Sequence, residues 1–419
     1  MEAHTQSTVR QEPARDALAS EPPSRRYVAV LLATLAILLG FVLGLNLLLG
    51  ARAAGGPEMV KAASDWQQAT RGVTYPPPIT VNRPFKILRL HDRLPEVNGV
   101  VFGASSSMGL TAEAFPAAVR IYNFAQTANP LHSTNPEAEY ALRHFGDRVK
   151  WLIVAMDWAV GIPYLPGEPG TMELTPRAAL APAALPAASL AARLQDALSW
   201  PRVKNLGALL LGVWRSEDRP RAFRQAFFAM SSADYRCPDG TLARDFDTIN
   251  RGICAGFRFD GSATFTDGRR VDAARGVQLA RAAAAPSSKY SHALALTGGE
   301  PNRALLNRLA ELAAAASRQD ARLILLMPPL IPGLERELAG SAHAGPAARR
   351  TKAAFGEWAA GAGIVIIDAG ASERFGCVAG EFLDEHHAFP ECYRKLFSRF
   401  WLDHAAGTIR PGMWPPAGS

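Results

Sequence analysis

Four short apolar runs separated by longer helical patterns constrain the fold of this chain most strongly. The runs lie at 99–102, 149–156, 323–327 and 363–367. Helical periodicity precedes the last three, at 136–145, 302–317 and 351–360. Uninterrupted apolar strands that alternate with helices are typical of a parallel sheet covered on both faces. The pattern therefore predicts an α/β fold with three layers.

A stretch of 24 residues without a charge, 27–50, is long enough to span a bilayer as a helix. A polar leader, 1–26, precedes it, and the stretch is longer than the apolar part of a usual signal peptide. Both features favour a retained transmembrane anchor. A cleaved signal peptide is the alternative, because Ala51-Arg52-Ala53 resembles a cleavage site.

The positive charges around this stretch predict its orientation. Arginines 10, 15, 25 and 26 precede it, whereas only Arg52 and Lys61 follow closely. By the positive-inside rule, 1–26 is a cytoplasmic tail of a single-pass protein of the inner (cytoplasmic) membrane. The rest of the chain is then periplasmic or otherwise extracytoplasmic, with 51–95 read as a stalk because it contains Tyr75-Pro76-Pro77-Pro78.

The rest of the chain divides into a core and an insertion. The α/β domain is expected to comprise 96–160 and 300–407, followed by a tail, 408–419. Between its two parts, 161–299 reads as a helical and hairpin insertion that shapes a substrate groove or a partner surface. It begins with Ala/Pro/Leu-rich helices at 176–198 and contains Asp-Gly turn pairs at 239, 260 and 267.

The four cysteines fit an oxidising compartment, in which disulfides persist. Local pairing would join Cys237 to Cys254 and Cys377 to Cys392. Four free buried thiols are the alternative. No cysteine or histidine spacing is typical of structural zinc.

The net charge of +7 raises the question of a nucleic-acid partner. The arginines are scattered along the chain rather than gathered in a stripe with interleaved aromatic residues. This distribution argues against nucleic-acid binding.

A small-residue segment, Gly103-Ala104-Ser105-Ser106-Ser107-Met108-Gly109, directly follows the first apolar run. At the end of a strand, the hydroxyl of Ser105 is placed to attack an acyl carbonyl while backbone N–H groups receive the oxyanion. The alternative is structural, since serine is a favoured N-cap of a helix.

The segment Asp384-Glu385-His386-His387 supplies what such a serine needs. His387 is the candidate base, and Asp384, three residues before it, is the candidate group that fixes the tautomer of the imidazole. A solvated acidic face and a metal site are the alternatives, although no ligand spacing identifies a metal.

Serine first and Asp-x-x-His last resembles the SGNH, or GDSL-type, hydrolases. That resemblance implies a flavodoxin-like α/β sandwich and ester hydrolysis or acyl transfer without a metal or organic cofactor. It makes Ser105 the nucleophile, His387 the base and Asp384 its orienter. The resemblance covers about 100–160 and 300–405.

The chain departs from the pattern of that family in three places. Ala104 stands where the family has aspartate, 121–128 lacks the oxyanion glycine, and the third block ends in Asp157-Trp158 instead of Asn-Asp. An ionised Asp157 cannot donate to an oxyanion, so the side-chain part of the oxyanion hole is either missing or supplied elsewhere, with Asn123 and Gln126 as the candidates. Asp157 is then expected to bind a substrate hydroxyl or to cap a turn.

Together with the anchor, the motifs are similar to membrane-tethered SGNH-like proteins that act with membrane-bound O-acyltransferases. The expected function is an acyltransferase or esterase for acyl groups, O-acetyl above all, of a cell-surface polysaccharide. One alternative is a catalytically degenerate scaffold that binds a partner through 161–299. Another is a protein that binds an anionic ligand at a helix N-terminus beside the serines.

Overall fold

The computed structural model describes residues 25–49, 57–72, 82–127, 129, 131–157, 174–176, 194, 198, 200–220, 223, 256–264 and 270–416. The helices are α1 (Arg25–Leu49), α2 (Pro57–Thr70), α3 (Arg83–Arg93), α4 (Leu131–Phe145), α5 (Trp200–Arg215), α6 (Ala273–Ala284), α7 (Lys289–Thr297), α8 (Arg303–Arg318), α9 (Leu334–Gly340), α10 (Gly345–Gly361) and α11 (Pro390–Ala405). The strands are β1 (Gly99–Phe102), β2 (Ile121–Asn123), β3 (Trp151–Ala155), β4 (Gly256–Phe257), β5 (Ala263–Thr264), β6 (Arg322–Met327), β7 (Val365–Asp368) and β8 (Gly412–Trp414).

Six strands form one parallel sheet in the order β2-β1-β3-β6-β7-β8. All four residues of β1 are buried, as are the last four of β3. Because successive side chains of a strand face opposite sides, both faces of the sheet are covered at these strands. The predicted α/β fold with a buried parallel sheet is confirmed, and each of the four apolar runs contributes a strand.

Helix α8 illustrates how the sequence specifies the layers around the sheet. Its leucines 305, 309 and 312 recur at helical spacing and are buried in the main core. Asn302 caps it, because its side-chain oxygen accepts hydrogen bonds from the backbone N–H groups of Ala304 and Leu305 at 2.9 and 3.2 Å. The predicted helix at 302–317 is therefore present, shifted by one residue.

Helix α1 has the length and composition of a membrane span. Its segment Tyr27–Asn46 has a mean hydropathy of 2.8 over 20 residues. The apolar side chains of this segment are mostly exposed rather than packed in the core. The prediction of one N-terminal helix able to cross a bilayer is confirmed.

The predicted stalk is wrong for 57–72 and 82–95. Helices α2 and α3 pack together there, with Val60, Trp66 and Phe85 in one buried cluster. Leu90 of α3 belongs to the main core. The Tyr-Pro-Pro-Pro segment at 75–78 lies outside the described residues.

The predicted boundaries of the insertion, 161–299, and of the tail, 408–419, also differ from the structure. Helices α6 and α7 fall within the predicted insertion, yet Ala280 and Leu294 are part of the main core. Strand β8 falls within the predicted tail and pairs with β7. The pair Asp260-Gly261 forms the turn of the β4–β5 hairpin, as predicted. The pairs at 239 and 267, Cys237, Cys254 and nearly all of 176–198 lie outside the described residues.

Candidate active site

The serine segment, 103–109, turns sharply where β1 ends. Ala104 is extended, and Ser105–Ser107 then form one 3₁₀ turn. Gly103 is required at the turn, because a Cβ there would lie 2.7 Å from the Cβ of Ala155 and overlap the Ser107 hydroxyl. The turn places Ser105 at the carboxyl edge of the sheet, half-buried.

The histidine loop, 382–388, is closed by two backbone contacts between its two ends. Phe382 and Ala388 form an antiparallel bridge, and the N–H of Leu383 donates to the carbonyl of His387 at 2.9 Å. The disulfide between Cys377 and Cys392 encloses the loop, which confirms that predicted pair.

Two contacts that the sequence did not reveal hold the serine segment against the histidine loop. A Cβ at Gly109 would overlap the carbonyl oxygen of Ala388, so only glycine permits this approach. The hydroxyl of Tyr393, in α11, donates to the carbonyl of Ser106. In the sequence, Gly109 is only the last residue of the serine segment, and nothing near Tyr393 marks that residue.

Ser105, His387 and Asp384 form a continuous hydrogen-bonded series. The Nε2 of His387 lies 2.9 Å from the Oγ of Ser105. Its Nδ1 lies 2.7 Å from Oδ2 of Asp384. The structure thus brings together the three residues that the sequence suggested, although 282 positions separate the serine from the histidine. A proton can pass from the serine hydroxyl to the imidazole in this arrangement.

Asp384 is held in place by the backbone of its own loop. Its Oδ1 accepts hydrogen bonds from the N–H groups of His386 and His387, each at 2.9 Å. Burial works to raise the pKa of Asp384, but the hydrogen bond from His387 and the electrostatic attraction of that imidazole outweigh it and hold the pKa below its usual range. The carboxylate therefore stays ionised at neutral pH, and it fixes a proton on Nδ1 so that Nε2 can accept one from serine.

The same loop contains the atoms of the alternative metal site. Potential ligand atoms of Asp384, His386 and His387 lie within 4.8 Å of one another. However, both ring nitrogens of His387 are already engaged, one by Asp384 and one by Ser105. The geometry of these residues matches proton transfer better than metal ligation.

Backbone groups of the serine segment are available to receive an oxyanion. At the start of the 3₁₀ turn, the N–H groups of Ser105 and Ser106 make no hydrogen bond to any described residue. The first N–H groups of a helical turn are unpaired by construction. They adjoin the Ser105 hydroxyl and are therefore available to donate to an oxyanion that forms there.

The expected side-chain donors have other partners. The amide nitrogen of Asn123 donates to the carbonyls of Ser107 and Leu110 at 2.9 and 2.8 Å. That of Gln126 donates to the buried carboxylate of Glu137 at 3.0 Å. The expectation that Asn123 or Gln126 replaces the missing oxyanion donor is therefore not supported, because both amides organise the chain after β1 and β2 instead.

Asp157 lies beside the triad at the end of β3. Strand β3 pairs with β1, with Val154 opposite Phe102, so Asp157 and Ser105 each follow three residues later at the same edge of the sheet. The side chain is half-buried. This position adjoins Ser105, as the expected contact of Asp157 with a substrate hydroxyl would require.

Comparison of the chain with protein-family models, with curated proteins and with solved structures found no match in any of the three.

Proposed function

We propose that this protein is a serine acyltransferase or esterase that works through an acyl-Ser105 intermediate. His387 takes the proton of Ser105 through Nε2 as Oγ attacks the acyl carbonyl carbon. The same imidazole then gives this proton to the departing alcohol. Water or a second alcohol repeats the sequence in reverse and frees the serine.

One observation carries the proposal, namely the hydrogen-bonded series of Ser105, His387 and Asp384. Its two distances, 2.9 and 2.7 Å, are those of an assembled nucleophile, base and orienter. When the hairpin strands β4 and β5 are left out of the numbering, the parallel strands have the order 2-1-3-4-5-6. The first five follow the flavodoxin-like order 2-1-3-4-5, and β8 adds one strand at the edge. That order supports a relation to the SGNH-type hydrolases.

The anchor and the disulfide support a location outside the cytoplasm. Helix α1 would tether the domain to the membrane, with the N-terminus inside by the distribution of positive charges. The disulfide between Cys377 and Cys392 suits an oxidising compartment. A membrane-tethered acyltransfer site facing outward suits O-acyl groups of a cell-surface polysaccharide, with a membrane-bound O-acyltransferase as a partner.

A catalytically degenerate scaffold is the second candidate function. It is favoured by one observation, that the amides of Asn123 and Gln126 are engaged elsewhere. Losing a side-chain oxyanion donor costs on the order of a hundredfold or more in rate. The proposed enzyme would therefore be slow. If the rate loss were complete, the protein would be a scaffold without catalytic activity.

Hydrolysis of 4-nitrophenyl acetate by the full chain in detergent distinguishes the two. Ser105→Ala and His387→Ala should each lower the rate by about three orders of magnitude or more, because the triad acts as a unit. The matched control is Ser107→Ala, since the Ser107 hydroxyl bonds the carbonyl of Ala104 instead of His387. Wild-type rates in Ser105→Ala would refute the enzyme, and an inactive wild type would favour the scaffold.

A further inference from the structure

Two polar side chains beside the triad lack hydrogen-bond partners among the described residues. The first is Asp157, whose half-buried carboxyl accepts no hydrogen bond from the described chain. The second is Tyr290, whose side chain is 1% exposed and whose hydroxyl has no partner. An unmade hydrogen bond on a buried group costs about 1–3 kcal/mol, so the Tyr290 hydroxyl suits a partner from outside the chain. The half-buried carboxyl of Asp157 is placed to accept a hydrogen bond from the same partner.

Helix α7 brings Tyr290 to the histidine loop through two contacts. Lys289, beside Tyr290 in the chain, forms an ion pair with Glu385 at 3.4 Å. The ring of Tyr290 packs edge-on against His386, with 6.4 Å between the ring centroids. Tyr290 therefore packs against the loop that carries the proposed catalytic base, His387.

The electrostatics of the pair define one donor and one acceptor. Burial raises the pKa of Tyr290, and the negative charge of Asp157 raises it further, so the phenol remains a neutral donor. Burial also raises the pKa of Asp157, and the nearby His386 opposes this increase. In either protonation state, Asp157 keeps a carboxyl oxygen that accepts a hydrogen bond.

We propose that Asp157 and Tyr290 bind a second hydroxyl on the alcohol portion of the substrate, beside the oxygen that carries the acyl group. A hydroxyl both donates and accepts, so it satisfies the two groups together. The site then selects polyhydroxy alcohols, such as a sugar or glycerol, over alcohols with one hydroxyl. This inference rests on the proposed function of Ser105.

In this scheme Asp157 and Tyr290 are positioning residues and exchange no proton with the substrate. During transfer, the acceptor hydroxyl gives its proton to Nε2 of His387 as its oxygen bonds the acyl carbon. The bond between that carbon and Oγ of Ser105 breaks, and Oγ takes the proton back from His387. The neighbouring hydroxyl, held by the pair, aligns the acceptor for this attack.

The test compares three acetyl esters with the full-length protein. Methyl 6-O-acetyl-glucoside and glycerol monoacetate carry free hydroxyls, whereas 4-nitrophenyl acetate carries none. Tyr290→Phe should lower kcat/KM about tenfold or more for the first two, and change it less than twofold for the third. Asp157→Ala should change kcat/KM for the three esters in the same way as Tyr290→Phe. The matched control is Tyr122→Phe, equally buried and outside the site, which should leave the ratios unchanged.

The size of the loss on each polyol ester identifies the source of the hydroxyl. A larger loss on the glucoside indicates a sugar, and a larger loss on the glycerol ester indicates a glycerol-based alcohol. The melting temperature of Tyr290→Phe should not fall, because the lost hydroxyl has no partner in the described chain.

Equal losses on all three esters would show a structural role and overturn the inference, as would no loss on any. If the wild type turns over none of the esters, the proposed function fails and this inference fails with it. Turnover with unchanged ratios in both variants rejects the hydroxyl site alone.

Discussion

Replacing Asp384 by asparagine should disable the base while leaving the histidine loop folded. Oδ1 of Asp384 accepts hydrogen bonds from the backbone N–H groups of His386 and His387, each at 2.9 Å. Oδ2 lies 2.7 Å from Nδ1 of His387. An asparagine must keep its oxygen toward the two backbone donors. Its NH₂ group then faces Nδ1, which must lose its proton to accept that hydrogen bond.

The size of the expected rate loss follows from the tautomer that asparagine imposes on His387. With the proton moved to Nε2, His387 cannot take a proton from Ser105, and such a change costs on the order of 10⁴ in rate, or about 5 kcal/mol. Rotating the amide to restore the tautomer would turn NH₂ toward both backbone N–H groups of the loop. Each donor left unpaired costs about 1–3 kcal/mol, so the rotated form is a minority.

Stopped-flow acylation by 4-nitrophenyl acetate measures this loss, and circular dichroism checks the fold. The control is Asp320→Asn, an exposed carboxylate just before β6 at the opposite edge of the sheet, which should act as wild type. An Asp384→Asn enzyme within about threefold of the wild-type rate would refute the assigned role of Asp384.

Three further changes test the framework around the site. Replacing Cys377 and Cys392 by serine removes a cross-link across 15 residues and should lower the free energy of unfolding by about 3 kcal/mol in urea titrations; unchanged stability would contradict this. Burial lowers the pKa of Lys86 to about 7, so between pH 7 and about 10 the unfolded chain binds more protons and stability should rise with pH. Lys86→Met should abolish that rise, and an unchanged slope would rule out Lys86 as its source. Gly109→Ala should slow acylation and destabilise the fold, because its Cβ would overlap the backbone of the histidine loop, whereas Gly380→Ala has open space and should do neither.

The parts of this fold that were predictable share a local cause. The buried strands are continuous apolar runs, so their identity does not depend on distant partners. Asp384 and His387 lie three residues apart, and Ser105 comes three residues after the end of the first strand. Each feature is visible within one short window of sequence.

The parts that were missed depend on distant contacts. Asn123 looked available as an oxyanion donor, but its partners Ser107 and Leu110 lie on another segment of the chain. Strand β8 has only three residues, and pairing with β7 is what makes them a strand. Tyr290 gains its place beside His386 through the packing of α7 on the histidine loop.

The most direct test of the catalytic triad is the site of reaction with a fluorophosphonate, which modifies serine hydroxyls that a neighbouring base activates. Intact mass and peptide analysis should find one adduct on Ser105, lost in His387→Ala and slowed by competing acyl ester. No adduct on the folded wild-type protein, or an adduct at Ser106 or Ser107 instead, would contradict the assignment of Ser105 as the nucleophile.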